Sequence, residues 1–171
     1  MAEIWKRYLR DIREEGKSSD IIVLLLGGSV FFLGLIIAFA ELVIVQKASY
    51  VFDFVSISGF LLFIAGAVLR IQARRTLGEL WSPVVRVLPE HELVTYGIYK
   101  HIRHPGYMGE MLMYISIPIS LHSLYGSLVM TLIIPTIFYR VRVEEKVLVE
   151  RFGDRYEKYM RGTKRFIPYI L

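Results

Sequence analysis

Residues Ile21–Val45 read IIVLLLGGSVFFLGLIIAFAELVIV, an apolar run broken only by Glu41 near its end. A helix rises 1.5 Å per residue, so this run exceeds the roughly 30 Å hydrocarbon core of a bilayer and can span it with tilt. A second apolar run, Val51–Leu69, carries Asp53 at its edge. Two shorter runs, Met108–Leu121 and Leu124–Tyr139, are separated only by His122 and Ser123 and read as a helical hairpin. Pro118 and Pro135 fall inside the hairpin and are tolerated as kinks, because neighbouring helices can satisfy the carbonyls they free. The expected fold is therefore all-α, a polytopic membrane protein with about four transmembrane helices, the last two a tight hairpin.

Composition and charge agree with that class. The 171 residues are 54% hydrophobic, more than a soluble domain usually carries, and the length suits one domain. The chain has no cysteine, which excludes disulfides, thiolate nucleophiles and thiolate metal ligands. No His, Asp or Glu cluster has metal-ligand spacing, so no metal is expected. The net charge of +5 comes from basic residues beside apolar runs, which points to membrane lipids rather than nucleic acid. Gly27-Gly28 lies inside a membrane helix, where small residues aid packing, and is no phosphate loop. The Ala38-Phe39-Ala40 triplet looks like a signal-peptidase site, but the apolar run before it is too long for a cleaved signal.

Lysine and arginine positions set an expected orientation. Five precede the first run (Lys6, Arg7, Arg10, Arg13, Lys17), and only Lys47 separates the first two runs. Six lie between Arg70 and Arg103, none in the hairpin tip, and nine follow from Arg140. The positive-inside rule then puts both termini and the middle loop in the cytoplasm. The organisation expected is a single domain over 1–171. It comprises an interfacial helix (1–20), two transmembrane helices (21–69), a cytoplasmic loop (70–104), the hairpin (105–139) and a cytoplasmic tail (140–171). The interfacial reading rests on Ile4, Trp5, Tyr8, Leu9 and Ile12 sharing one helical face among basic residues.

The loop and the tail hold the groups that could do chemistry. Pro105 starts a helix and pushes His104 out of the helical region, so Arg103 and His104 sit at the mouth of the third helix. Its N-terminus offers backbone N–H groups suited to a carboxylate. In the tail, Arg140, Arg142, Glu144 and Glu145 follow the fourth run closely. Gly153 reads as a helix stop, Asp154 with Glu157 as the capped start of a short helix, and Arg161, Lys164 and Arg165 as a basic end. Arg140 and Glu145 are five residues apart and point to different sides of a continuous helix, so the span is expected to end near Arg142.

The stretch LVTYGIYKHIRHPGYMGEM at 93–111, the later RVRVEEKVLVERFGDRYEKY at 140–159 and a terminal RFIP at 165–168 resemble the isoprenylcysteine carboxyl methyltransferase family, in a short, prokaryotic-type form. The resemblance covers about residues 75–170, and its strength lies in the motifs occurring in order with hairpin spacing. It implies an S-adenosylmethionine pocket made by the cytoplasmic loop and tail, capping a membrane-facing tunnel. Carried over by position, His91, Leu93, Val94, Gly97, Tyr99, His104, Tyr107 and Glu144 would line the cofactor site. Arg103, Arg140 and Glu145 would be the catalytic polar groups near the methyl acceptor. The family's usual proline after the turn glycine is Ile98 here, and the chain has fewer spans than eukaryotic members. The implied acceptor is the carboxylate of an isoprenylcysteine-like lipid, prenylated small molecule or protein.

Physical chemistry is consistent with these roles. A sulfonium cation is stabilised by tyrosine faces or a carboxylate, and an arginine can hold an acceptor carboxylate in a site stripped of water. Such an acceptor needs no general base. A phospholipid or other lipid-amine N-methyltransferase shares the topology but would want a base such as His104 or Glu145. A sterol-reductase-like enzyme would need a nicotinamide cofactor, and a non-enzymatic membrane protein has no use for so many polar groups on one side. Each residue also has a plainer reading. His104 could only cap its helix, His91 and His101 could be exposed, and Glu144 and Glu145 could only pair with basic neighbours. Glu110, inside an apolar run, is expected to pair with a tail arginine.

Overall fold

The computed structural model describes residues 18–82 and 92–167, with side chains from residue 21. The expected interfacial arm before Ser18, and His91, lie outside the described residues. Within them the chain is all-helical. Three stretches are long and apolar enough to cross a membrane, Ile21–Val45, Phe54–Leu80 and Leu124–Phe152.

Helix α1 (Ser18–Ala40) ends in a wider turn over Glu41–Val45, where the amide of Gln46 donates to the Glu41 carbonyl at 3.0 Å. Helix α2 (Phe54–Leu77) is capped by Asp53, whose carboxylate accepts from the amides of Val55 at 2.9 Å and Ser56 at 3.1 Å. It runs two turns past the apolar stretch that ends at Leu69. Arg74 and Arg75 complement the dipole of its last turn, and Gly78 at φ +56° stops it.

Helix α3 (Pro105–Ser120) returns antiparallel along α2. Its 16 residues cover about 24 Å, short of a full hydrocarbon core. Even so, α3 connects the same two ends of the molecule as α2. Gln46 Nε2 donates to the Leu121 carbonyl at 3.1 Å, and the Tyr50 hydroxyl to the Ser120 carbonyl at 3.1 Å. His122 Nε2 lies 3.1 Å from Asp53 and 3.0 Å from the Ser56 hydroxyl. The two short turns therefore share one end. At the other end, the amides of Arg103 and His104 donate to the carbonyls of Lys164 and Arg165 at 2.8 and 2.9 Å. Loop and tail meet there.

The second arm of the hairpin is α4 (Leu124–Thr131) followed by α5 (Ile133–Phe152), with an interruption at Leu132. Pro135 sits in the first turn of α5 and has no N–H for the Thr131 carbonyl, which explains the break. Glu41, at the start of the wider turn after α1, accounts for its own place in an apolar run. It accepts from the Ser123 hydroxyl at 2.6 Å and from the amides of Leu124 and Tyr125 at 3.2 Å, closing the start of α4. Helix α5 continues to Phe152, ahead of the stop expected at Gly153, and runs unbroken past Arg142, where the span was expected to end. Gly153 at φ +51° turns the chain into α6 (Asp154–Gly162). Asp154 is the first residue inside α6 and makes no side-chain cap; its carboxylate acts through the helix dipole instead.

The buried core is Met130, Ile133, Ile137, Val141 and Phe166. Large apolar side chains point outward, among them Ile44 at 73% and Phe54 at 82% exposure. A belt of this kind suits lipid rather than water. The closest helix contact is α2 against α3. A Cβ on Gly66 would stand 2.7 Å from the Gly109 carbonyl oxygen, and one on Gly109 would stand 2.5 Å from that of Gly66. Gly109→Ala should therefore destabilise the protein by at least about 2 kcal/mol, since backbone on both sides must shift. Gly28→Ala, whose Cβ meets nothing within 4 Å, is the control. Thermal unfolding in detergent checks this, and equal midpoints for the two variants would refute the close α2–α3 contact.

Candidate active site

Four consecutive core positions on α5, Ile133, Ile137, Val141 and Glu145, are buried at a spacing of four residues. That spacing keeps them on one helix face. The ladder thus ends in a carboxylate that faces inward, where it needs compensation. Arg103 Nε donates to Glu145 Oε1 at 3.0 Å, and Arg165 grips the carboxylate with Nη2 to Oε2 at 2.6 Å and Nε to Oε2 at 3.0 Å. His104 Nε2 lies 3.3 Å from Oε1, while its Nδ1 faces Glu144 at 4.0 Å. His104 begins α3 but makes no side-chain cap, so the plain capping reading does not hold. The same carboxylate also pushes the Arg165 guanidinium higher in pKa through its hydrogen bond.

Arg103 completes the tie between loop and tail. Its Nη1 donates to the carbonyls of Met160, at 3.0 Å, and Thr163. The Tyr159 hydroxyl donates to the Tyr99 carbonyl at 2.6 Å. Loop residues 99–104, the end of α5 and the tail residues 159–166 thus form one hydrogen-bonded unit around Glu145.

Beside this unit lies a cavity of about 360 Å³. Of the residues expected at the site, Leu93, Val94, Tyr99, Arg103, His104, Tyr107, Arg140 and Glu144 line it. Arg140 and Glu144 are four residues apart and share the cavity face of α5, with the Arg140 guanidinium carbon 5.7 Å from the centre of the Tyr107 ring. Glu145 is not part of the lining; it sits behind Arg103 and His104. Gly97 does not line the cavity either. It takes φ +59° and packs against Thr76, so that a Cβ would lie 3.2 Å from the Thr76 methyl.

Several lining residues were not expected. Trp81 stacks on Arg74 at 4.6 Å, Tyr156 of α6 forms a wall, and Arg70, Glu110 and Tyr114 stand together on α2 and α3. Glu110 pairs with Arg70 at 2.6 Å and not with a tail arginine, because it faces α2 across the Gly66–Gly109 contact. Burial first, and then the Glu144 charge, raises the pKa of the Tyr99 phenol; burial first, and then Glu145, raises that of Tyr156. Burial also pushes Tyr159 up to about 12. These tyrosines therefore stay neutral near pH 7 and offer aromatic faces rather than phenolates.

Fold and site together define an integral membrane protein with one polar chamber held where a helical hairpin, a loop and a tail converge. A sequence profile of the isoprenylcysteine carboxyl methyltransferase family matches residues 59–150. A probable protein-S-isoprenylcysteine O-methyltransferase of Oryza sativa subsp. indica is 33% identical over 120 residues, 68% of this chain and 63% of that protein. The Schizosaccharomyces pombe protein-S-isoprenylcysteine O-methyltransferase is 31% identical over 125 residues, 71% of this chain and 53% of that protein. The solved structure of the eukaryotic intramembrane Ras methyltransferase superposes with a TM-score of 0.64 at 28% identity, covering 94% of this chain and 56% of that chain. The chain belongs to the isoprenylcysteine carboxyl methyltransferase family. It spans less than two thirds of the length of these relatives.

Removing Arg165 isolates the contribution of the tail. Arg165→Met should loosen the pairing of residues 102–104 with 164–165 by roughly 1 kcal/mol, because its side chain is 37% exposed and part of the attraction is screened. Faster hydrogen exchange at the amides of Arg103 and His104 is the expected readout. Unchanged exchange would mean that backbone pairing alone holds the tail.

Proposed function

We propose that this protein transfers a methyl group from S-adenosylmethionine to the carboxylate of an isoprenylcysteine-like lipid at the cytoplasmic face of a membrane. The observation that carries the reading is the placement of Arg140, Tyr107, His104 and Glu144 around one cavity whose wall also includes residues of the apolar helix α1. Family membership and the names of the relatives support the same acceptor class.

The cavity residues fit the donor. Tyr99, Tyr107 and Tyr156 present aromatic faces and Glu144 a carboxylate, a set that suits a sulfonium. When bound, S-adenosylmethionine supplies an electrophilic methyl carbon, which a carboxylate oxygen takes as the carbon–sulfur bond breaks, leaving a neutral ester and a neutral thioether. The protein's own part is to hold and desolvate. Arg140, stacked over Tyr107, is assigned to grip the acceptor carboxylate, and Leu93 and Val94 to cover the donor end. His104 and Arg103 are positioned by Glu145, which makes Glu145 a positioning residue rather than one that touches either reactant. No base is required, because a carboxylate carries no proton to lose. The interfacial arm 1–20 and the division at 69, 104 and 139 belong to this same reading of a cytoplasmic site, as does cofactor contact by His91, while Gly97 serves as the turn of the loop.

Methyl transfer to a short S-farnesylcysteine analogue by purified protein is the direct test. Arg140→Lys should lower kcat/KM by at least about tenfold, because a point charge does not reproduce bidentate carboxylate geometry. Near-normal turnover would remove Arg140 from the site, and methylation of lipid amines alone would replace the carboxyl reading. The native chain lacks cysteine, so single cysteines at Glu79 and Lys47 report the face cleanly. An impermeant reagent should label the Lys47 position from outside and leave the Glu79 position untouched.

A further inference from the structure

The α1 side of the cavity carries no polar side chain. Val23, Leu24, Gly27 and Gly28 form it, joined by Ile133, Thr136 and Ile137 of α5 and by Tyr114 of α3. Along α1 the packing changes within three turns. A Cβ on Gly34 would stand 2.9 Å from the Met130 side chain of α4, and one on Gly126 of α4 would stand 2.9 Å from the Ala38 Cβ. Nearer the cavity, a Cβ on Gly27 would meet only the Thr136 hydroxyl, at 3.5 Å, and one on Gly28 meets nothing within 4 Å. Helix α1 is thus pressed against α4 at its far end and stands clear of its neighbours at Gly28.

The same face of α1 closes the space again one turn deeper. Phe31 is three residues beyond Gly28 and lies on the same side of the helix. Its ring packs on that of Tyr114, with centroids 4.6 Å apart. The Tyr114 hydroxyl donates to Glu110 Oε1 at 2.8 Å, and Arg70 donates to Oε2 at 2.6 Å. Glu110 is met at both oxygens, so it offers the cavity no unmatched charge and instead anchors the Tyr114 ring. Gly106, Tyr107, Glu110 and Tyr114 are the α3 residues of the wall, and Tyr114 is the deepest. Tyr107, under Arg140, and Tyr114 are seven residues apart, about 10 Å along the helix axis. Below Arg140 the cavity therefore has a finite depth, with a missing side chain in its wall and a ring pair as its floor.

A tail drawn from the bilayer gains little by entering an apolar pocket, because lipid is as apolar as the pocket. Tail length then has to be read by shape, through walls that leave room and a floor that clashes. Resting on the methyl-transfer reading above, we infer that Gly28 and Phe31 of α1 set which prenyl tail lengths the acceptor can carry. Gly28 leaves room for the outer isoprene unit in the gap between α1 and α3. Phe31, by holding Tyr114 in place, limits how far the tail reaches. The glycine pair that reads in the sequence as a packing device is, at Gly28, packed on nothing.

Three acceptors that differ only in tail length provide the test. They are N-acetyl-S-geranylcysteine, N-acetyl-S-farnesylcysteine and N-acetyl-S-geranylgeranylcysteine, with two, three and four isoprene units. Gly28→Leu should lower the farnesyl-to-geranyl ratio of kcat/KM by on the order of tenfold, the effect of overpacking one apolar side chain, and Gly28→Ala should lower it less. Phe31→Ala should raise the geranylgeranyl-to-farnesyl ratio several-fold, because the ring behind Tyr114 is gone. Ser29→Leu adds the same bulk on the exposed side of α1 and should move neither ratio. Each ratio is independent of how much of a variant preparation is folded. A farnesyl-to-geranyl ratio unmoved by Gly28→Leu, a geranylgeranyl-to-farnesyl ratio unmoved by Phe31→Ala, or either ratio moved as far by Ser29→Leu would overturn the inference. Each of these leaves the carboxyl methyltransferase reading standing. A Gly28→Leu protein inactive on every tail, with wild-type ratios in Gly28→Ala, would overturn the inference too. Methylation of none of the three by the wild type would overturn both.

Discussion

A carboxylate at the end of an apolar helix face is the constraint on which the site rests. Ile133, Ile137 and Val141 place Glu145 on the buried face of α5, so its charge has to be met by other parts of the chain. Arg103 comes from the loop, His104 from the start of α3 and Arg165 from the tail. The consecutive pair Arg103-His104, the helix α5 and the tail, three segments separate in sequence, are thereby drawn to one point. Removing either guanidinium leaves the other facing an under-compensated carboxylate, which is why buried networks of this kind are cooperative rather than additive. Among the described residues of the loop, the end that carries Arg103 is tied to the tail through the amides of Arg103 and His104. Its geometry is borrowed from Glu145.

Membrane embedding explains why so little else is needed. In lipid, apolar side chains gain nothing by turning inward, and the helices of this protein expose most of theirs. What then fixes the bundle is close backbone approach, as at Gly66 and Gly109, together with a few buried hydrogen bonds. Glu41 shows the second device at the turn end, where it closes the first turn of α4 from a different helix. Asp53, Ser56 and His122 show it again. Both of the first two reach the same imidazole nitrogen, so the trio is a brace and not a proton relay.

Much of this was legible in the sequence, for a physical reason. Apolar runs of membrane length and the two-residue gap at His122-Ser123 are local signals, and the helices follow them. The lining of the cavity by Leu93, Val94, Tyr99, His104 and Tyr107 was implied by the resemblance of residues 93–111 to the family. What could not be read was pairing across the fold. Glu110 had several arginines available, and only the packing of α2 on α3 selects Arg70. Glu145 was marked as polar and close to the acceptor, yet its facing is set by the phase of α5, which depends on where Pro135 interrupts the preceding helix. Arg165 stood in the RFIP motif and at the basic end, but its pairing could not be read, because its partner Glu145 lies twenty residues away and inside the protein.

The continuity of α5 past its apolar run follows from the same geometry. Thr136, Arg140, Glu144 and Leu148 recur every four residues and all line the cavity. Successive members are about 6 Å apart along the axis, so the row spans about 18 Å from the lipid-level wall to the loop. In the proposed reaction this one helix carries both the group that grips the acceptor and the carboxylate beside the donor. Their separation is then set by helical rise and not by the relative placement of two mobile elements. A helix ending near Arg142 would have put Glu144 on the loop and made that distance depend on loop motion. In-line displacement loses rate steeply when reactants are misplaced by an ångström. The polar segment from Arg140 to Phe152 therefore stays helical although it has left the apolar run, and the cost of placing Glu145 on its buried face is offset by Arg103, His104 and Arg165.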